Sequence, residues 1–216
     1  LKKSYAAVYQ LNDQKLVQIA DVELPDAQLP VKGMGDWAIV STSKPYSLSS
    51  MWEGRTRSDY YKVSLATGER TLIAKADYAG YRLSPAGKYV GTYNATDSCW
   101  YTINLADNRK IQLTTPQTFP AWDEDNDVPN YPSPHGMAGW TKDDAALLIY
   151  DRYDIWSFDP EGKKAPVRLT KDGREKQVTY RRIVLDREKM DIDLKQPMML
   201  TGFNEVDKST GIYRAR

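Results

Sequence analysis

Sulfur and imidazole chemistry are scarce in this sequence. Its 216 residues hold one cysteine, Cys99, and one histidine, His135. A single cysteine excludes an internal disulfide and any cysteine-based metal cluster. A single histidine excludes zinc sites that need paired imidazoles. Apolar runs are short, and none approaches the roughly 18 residues that would suggest a bilayer span, so no membrane partner is expected. Charge of one sign is not in excess either. Against 30 Lys and Arg stand 29 Asp and Glu, a net +1, so the basic footprint of a nucleic-acid binder is missing. No Gly-x-Ser-x-Gly elbow occurs, and Gly33-Met34-Gly35 stands without the rest of a nucleotide fingerprint. No residue is assigned a catalytic role. The chain opens on Leu1, and Lys2 and Lys3 lead into alternating residues rather than the apolar block of a secretory signal. Gly211 to Arg216 reads as a strand cut short, so the expectation is a processed chain or a piece of a longer one.

What is present points to strands. Hydrophobic residues make up 41% and charged residues 27%, the balance of a folded globular chain of one large domain or two small ones. Aromatic content leans to 15 Tyr and 6 Trp against 3 Phe. Tyr and Trp favour sheets and suit a half-exposed face. Period-2 alternation is common and helical periodicity is rare. Clusters of Gly, Pro, Asn and Asp punctuate the chain at short intervals. The chain reads as all-β.

Self-similarity specifies more. Asp59 to Gly68, Cys99 to Asn108 and Asp154 to Gly162 each read as an alternating strand, a tight turn and a second short strand. These run on to Leu72, Leu113-Thr114 and Leu169-Thr170. Gly68, Asn108 and Gly162 supply the positive φ that such hairpins require. Two of the hairpins follow a different strand pair with a Ser- or Thr-initiated turn, Leu83 to Val90 and Trp140 to Tyr150. The unit is four short antiparallel strands. Its anchors Tyr61, Tyr101 and Trp156 are spaced 40 and 55 residues apart, the blade length of a β-propeller with an insertion in the third blade. Tyr5 to Ile19 reads as the last two strands of a blade, turning at Asn12-Asp13. Val178 to Arg216 reads as a further blade, with strands near Tyr180–Leu185, Pro197–Gly202 and Gly211–Arg214. The expected blades are therefore 4–30 (partial), 36–76, 78–116, 137–172 and 176–216, a partial propeller of about four blades. Asp186 to Asp193 fits a helical turn or a charged loop, and a loop or bent strand is preferred. A blade buries both faces against its neighbours, so uncovered end blades are expected to self-associate through exposed faces and edges.

Candidate chemistry concentrates in two places. The first is an acidic, proline-rich inserted loop, residues 117–136. Its Asp123, Asp125 and Asp127 have the opening spacing of a calcium loop. Val128 stands where such a loop has glycine and Pro134 where it has glutamate, and the competing reading is a solvated or interface loop. His135 lies between Pro134 and Gly136 as a loop contact. The second is Tyr150 to Trp156, where Asp151, Arg152 and Asp154 either bind a peptide terminus or form an ion-paired inter-strand turn. Cys99 reads as a buried apolar filler, and Met51 to Arg57 as a polar hairpin tip.

Leu83-Ser84-Pro85-Ala86-Gly87-Lys88 resembles the blade opening of prolyl-oligopeptidase-type serine peptidases and of TolB-like proteins. The aromatic hairpins ending in Leu-Thr are similar to the same blades. The insertion from Trp122 to Pro134, with Trp140 to Asp144 and the Asp151-Arg152-Tyr153-Asp154-Ile155-Trp156 segment, resembles a Bacteroidetes subgroup of acylaminoacyl-peptidase-like members. The resemblance covers roughly residues 36 to 180. It implies a bacterial parent, periplasmic or cytoplasmic, in which this propeller caps a C-terminal α/β-hydrolase domain and filters peptide substrates. The triad motifs of that family match no position here. The paired glutamates with which dipeptidyl peptidases hold a substrate amine have no clear counterpart. No cofactor is implied. The alternatives are a TolB-like or WD-repeat-like protein-binding scaffold, and a complete small propeller holding a metal in its channel.

Overall fold

A computed structural model describes residues 3–31 and 34–215; Leu1, Lys2, Lys32, Arg216 and Gly33 of the Gly33-Met34-Gly35 segment lie outside them. The chain is mostly β, in small antiparallel sheets of blade order. The strands β1 (Ala7–Gln10) and β2 (Lys15–Gln18) form a hairpin. The strands β3 (Asp26–Gln28), β4 (Trp37–Thr42), β5 (Ser58–Ser64) and β6 (Arg70–Asp77) form a four-stranded meander. A second meander holds β7 (Tyr81–Leu83), β8 (Tyr89–Asn94), β9 (Cys99–Asn104) and β10 (Lys110–Gln112). A third holds β11 (Met137–Thr141), β12 (Leu147–Tyr150), β13 (Ile155–Phe158) and β14 (Val167–Arg168). The last sheet has order β15-β17-β18, from Val178–Arg182, Met198–Asn204 and Thr210–Ala215. These are β-propeller blades by strand order, three of them complete. No helix among the described residues is long and apolar enough to cross a membrane.

Two compact units divide the chain, residues 1–90 with 104–109 and residues 91–103 with 110–216. In the first, the hairpin β1–β2 packs on the β3–β6 sheet. Val17, Ile19 and Ala20 meet Ala38, Val40, Val63 and Leu65, with Val8 and Tyr61 at the margin. Alternation explains the pairing, because Val8 lies opposite Val17 while Tyr9 and Leu16 point the other way. Lys62 is buried on β5, where its ammonium donates to the Leu105 carbonyl at 2.8 Å and lies 4.2 Å from the centre of the Trp37 ring. Burial pushes that ammonium below its usual pKa range, and Asp107 and Glu69 partly offset the shift.

In the second unit, Leu148, Tyr150 and Ile155 pack with Val178, Tyr180, Ile192 and Leu200. All four residues of β12 are buried, so this strand is covered on both faces. Gly91 lies against Met137, Trp140 and Leu147, where an added Cβ would come within 3.4 to 3.6 Å of their side chains.

The repeated turns explain why the repeated residues recur. The Ser84 hydroxyl accepts from the Tyr89 N–H at 3.0 Å, and the Thr141 hydroxyl accepts from the Ala146 N–H at 2.8 Å. The same contact, five residues on, closes each Ser- or Thr-initiated turn. The Thr of each Leu-Thr ending also bonds back to its sheet. Thr114 accepts from the Trp100 N–H at 2.8 Å and Thr170 from the Ile155 N–H at 2.9 Å. Gly68, Asn108 and Gly162 hold φ of 78°, 61° and 66°, as their turns require. A fourth hairpin of this kind, at 204–209, puts Lys208 at φ 62° in the place of glycine.

The structure departs from the sequence reading in three places. The sheet of β4–β6 begins at β3, inside the segment assigned to the partial first blade; three residues of Asp-Ala-Gln are too short to show a period. Ser47–Glu53 is a short helix, α1, whose last three residues overlap the Met51 to Arg57 segment expected as a polar hairpin tip. It ends at Gly54, whose left-handed φ of 64° lets its N–H reach the Ser50 carbonyl. The last sheet has the three strands expected of 178–216, but no fourth joins it. Asp191–Ile192, β16, leaves it to pair in parallel with β11, and the charged run before it is loop and turn.

Leu148 is fully buried at the centre of the second core. Leu148→Ala is expected to lower unfolding stability by about 2–5 kcal/mol, read from urea denaturation, through lost burial and an unfilled cavity.

Candidate functional site

The β12–β13 turn organises a dense polar cluster within the second unit. It is tight because Asp151 caps it. One carboxylate oxygen accepts from the Tyr153 and Asp154 N–H groups at 2.7 and 2.5 Å, and the other accepts from the Trp156 indole at 3.0 Å. Asp154 is fully buried. Its carboxylate accepts from the Thr170 hydroxyl at 2.7 Å, from the N–H groups of Gly173 and Arg174 at 3.1 Å, and from Arg168 at 2.6 Å. A buried carboxylate is tolerable only when so fully bonded. Gly173 opens the four-residue helix α2 (Gly173–Lys176), and an added Cβ there would lie 2.7 Å from Asp154. Arg168 also grips Glu175 through two bonds, which bring that carboxyl down to about 2.

Arg152 is the second hub. It meets Asp125 of the inserted loop at 2.8 Å and Glu205 at 2.9 Å. Glu205 accepts from the Tyr153 hydroxyl at 3.0 Å as well. Burial pushes the Glu205 carboxyl up, but bonds from Arg152, Tyr153 and Thr179, with the charge of Arg152, take it below the usual range. Arg174 holds Glu124 of the same loop at 3.1 Å. The guanidiniums of Arg152 and Arg174 lie 5.3 and 5.1 Å from the centre of the Tyr153 ring. The loop is thus tied to the blade by two arginine–carboxylate pairs.

Of the residues singled out by sequence, the structure brings Asp125, Asp151, Arg152 and Asp154 into one network. It does not bring Asp123, Asp125 and Asp127 together. Asp123 caps the Asp125 N–H at 3.2 Å, while Asp125 turns to Arg152. Among the described residues no three of His, Cys, Asp and Glu gather to hold an ion, so these three do not fit a calcium cage. His135 donates its backbone N–H to the Ala121 carbonyl at 3.0 Å, and its buried Nε2 has no hydrogen-bond partner. Burial, then the charge of Arg181, lowers the imidazole pKa; Asp123, Glu124 and Asp151 oppose the shift. Cys99 is buried, as expected, and burial raises its thiol pKa.

Sequence reasoning missed Glu205, Arg168, Arg174 and Glu124. Arg168, Arg174 and Glu205 lie 44, 50 and 81 positions after Glu124, and no spacing marks them. The Leu169-Thr170 ending was the one available signal, because its hydroxyl completes the Asp154 shell. Chemically the cluster is a clamp: the carboxylate oxygens of Asp151 and Asp154 are all engaged by the protein's own donors.

No protein-family model matches the chain, and no curated protein matches it. Among solved structures, it is similar to the β-propeller domain of the trilobed protease from Pyrococcus furiosus, at 12% identity and a TM-score of 0.48, over 90% of this chain and 55% of that one. It is similar to an Agrobacterium tumefaciens protein described as TolB, at 12% identity and a TM-score of 0.43, over 94% of this chain and 72% of that one. It is also similar to an acylaminoacyl peptidase, at 11% identity and a TM-score of 0.39, over 88% of this chain and 32% of that one. The chain thus spans about half the length of the protease propeller and a third of the peptidase. These likenesses assign no family.

Thr170→Val removes a donor from buried Asp154 and an acceptor from the Ile155 N–H. It is expected to cost about 1–3 kcal/mol in chemical denaturation, the penalty for leaving buried polar groups unbonded. The lowered His135 pKa gives a second expectation. The folded state disfavours the imidazolium, so this contribution is full above the unfolded value of about 6.5 and is lost as pH falls from there through the folded pKa. Thermal melting between neutral and mildly acid pH should show the decline, and His135→Gln should flatten it.

Proposed function

We propose that the chain is a non-catalytic β-propeller segment of a prolyl-oligopeptidase-like serine peptidase. It covers a hydrolase active site carried elsewhere in the polypeptide and admits peptides while turning away folded proteins. The observation that carries this reading is the corner at Asp151 to Trp156. It is the most specific part of the resemblance, and its charged groups are engaged in holding the blade and tying down the inserted loop. Such a corner stiffens a cover rather than performing bond cleavage. The repeated hydroxyl latches at Ser84, Thr114, Thr141 and Thr170 support the same role, because they pin each blade at its turns and strand ends.

The 216-residue chain is expected to leave chromogenic peptidyl and ester substrates intact, while the protein encoded by the complete reading frame cleaves them and is stopped by serine-directed inhibitors. Hydrolysis by this chain alone, blocked by the same inhibitors, would refute the proposal. A reading frame with no hydrolase domain would refute it in favour of a protein-binding scaffold.

A further inference from the structure

The chain's only imidazole stands at the root of the inserted loop, two residues before β11. That root closes on itself. The His135 N–H donates to the Ala121 carbonyl at 3.0 Å, Trp122 bridges Pro134, and the Asp123 N–H donates to the Ser133 carbonyl at 2.8 Å. The next carbonyl, of Gly136, accepts from the Tyr150 N–H of β12 at 3.0 Å. Before the root the chain is firmly seated: Phe119 and Ala121 are buried, and the Phe119 ring packs edge-on against Trp156 and Phe158. Beyond it the loop is weakly held. No residue from Trp122 to Gly136 is buried. Its outer ties are the ion pairs Asp125–Arg152 and Glu124–Arg174 and a bond at 3.3 Å from the Tyr93 hydroxyl to the Pro132 carbonyl. Ion pairs in contact with water hold little.

We propose that His135 is an acid-sensitive latch: with a neutral ring the inserted loop is seated on the second unit, and protonation releases residues 122–136 while the blades stay folded. His135 Nε2 is buried with no hydrogen-bond partner. The charged groups acting on the ring come from three elements. Arg181 of β15 is the cation; Asp123 and Glu124 of the loop and Asp151 of the β12–β13 turn are the anions. The anions are committed elsewhere. Asp151 accepts from the Tyr153 and Asp154 N–H groups and the Trp156 indole, Asp123 from the Asp125 N–H, and Glu124 from Arg174. The Arg181 guanidinium is held in place by the Tyr180 and Arg152 carbonyls and lies over the Tyr150 ring. A neutral imidazole can keep Nε2 unprotonated. An imidazolium turns Nε2 into a charged donor with nothing to bond, in the field of a guanidinium. Release of the loop carries the ring to water without opening an apolar core, whereas β12 is buried along its whole length. The direction agrees with the lowered pKa of the ring. The latch is fully closed above about 6.5, the value of a free imidazole, and weakens as pH falls through the seated value.

Amide hydrogen exchange read by NMR at about pH 7.5 and about pH 5, on either side of the free imidazole value and corrected for intrinsic rates, tests it. The Asp123 and His135 amides should be protected at the higher pH and lose that protection at the lower, while the β12 and β13 amides stay protected. The ring resonance of His135, unambiguous because the chain has no other histidine, should titrate below about 6.5. His135→Gln should keep the loop protected at both pH values, and His135→Lys should leave it unprotected at both. Asp125→Asn, which breaks the tie to Arg152, should reduce protection at both and leave the pH dependence in place. A wild-type loop equally protected at the two pH values would overturn the proposal. So would a ring that titrates at or above the free value, a His135→Gln loop that still opens in acid, or a loss of protection spread evenly over loop and blades. The wild-type titration and exchange decide the matter even where a variant fails to fold. None of these outcomes bears on hydrolysis, so this inference and the proposed function stand or fall separately.

Discussion

A small antiparallel sheet with apolar side chains on both faces must have both faces covered. Much of this structure follows from that constraint. Leu147, Leu148, Ile149 and Tyr150 are successive residues of one strand, so their side chains alternate between faces, and all four are buried. Such a strand is stable only between two other surfaces. The same demand puts Val17 of the hairpin on Val40 and Val63, and Leu200 of the last sheet on Leu148. Burial at about 25 cal/mol per Å² offsets the cost of ordering strands as short as β12.

Covering both faces leaves strand ends and turns to be held by polar contacts, and here the structure is repetitive. A hydroxyl accepts a backbone N–H at Ser84, Thr114, Thr141 and Thr170. Each is a modest bond, of about 1 kcal/mol net, but each satisfies a donor at the end of a strand, where an unpaired group would cost more. The β12–β13 turn carries this further. It buries a carboxylate, Asp154, inside a shell of one hydroxyl, two backbone donors and one guanidinium. From that anchor Arg168, Arg174 and Arg152 reach outward to Glu175, Glu124, Asp125 and Glu205. The exposed pairs of this chain add little stability individually. Their evident effect is positional, because they fix where the inserted loop lies.

Legibility in the sequence followed the range of the interaction. The hairpins were readable because Gly68, Asn108 and Gly162 sit where a positive φ is needed, and a local constraint leaves a local mark. The fourth hairpin was harder to read because Lys208 takes the strained position without announcing it. The last three residues of the helix Ser47–Glu53 were misread as part of a hairpin tip. None of its residues is buried, so no core-facing stripe marks it. The strand β3 escaped for a related reason, since three residues cannot display a period. The aspartates 123, 125 and 127 show the limit of spacing arguments. Their interval suited a calcium loop, but Asp125 is drawn away by Arg152, a residue 27 positions later.

The sequence alone determined the β character, the hairpin turns, the hydroxyl-latched strand ends and the repeat that makes successive sheets alike. Each of these depends on residues close along the chain, or on the recurrence of such a short pattern every 40 to 55 residues, so composition and period express it directly. Tertiary structure alone decided which charges meet. Arg152 joins Asp125 to Glu205, and Asp154 gathers Arg168, Thr170 and the start of α2. Those partners come together only when folding stacks segments that are distant along the chain, and a polar side chain carries no mark of which distant partner it will meet.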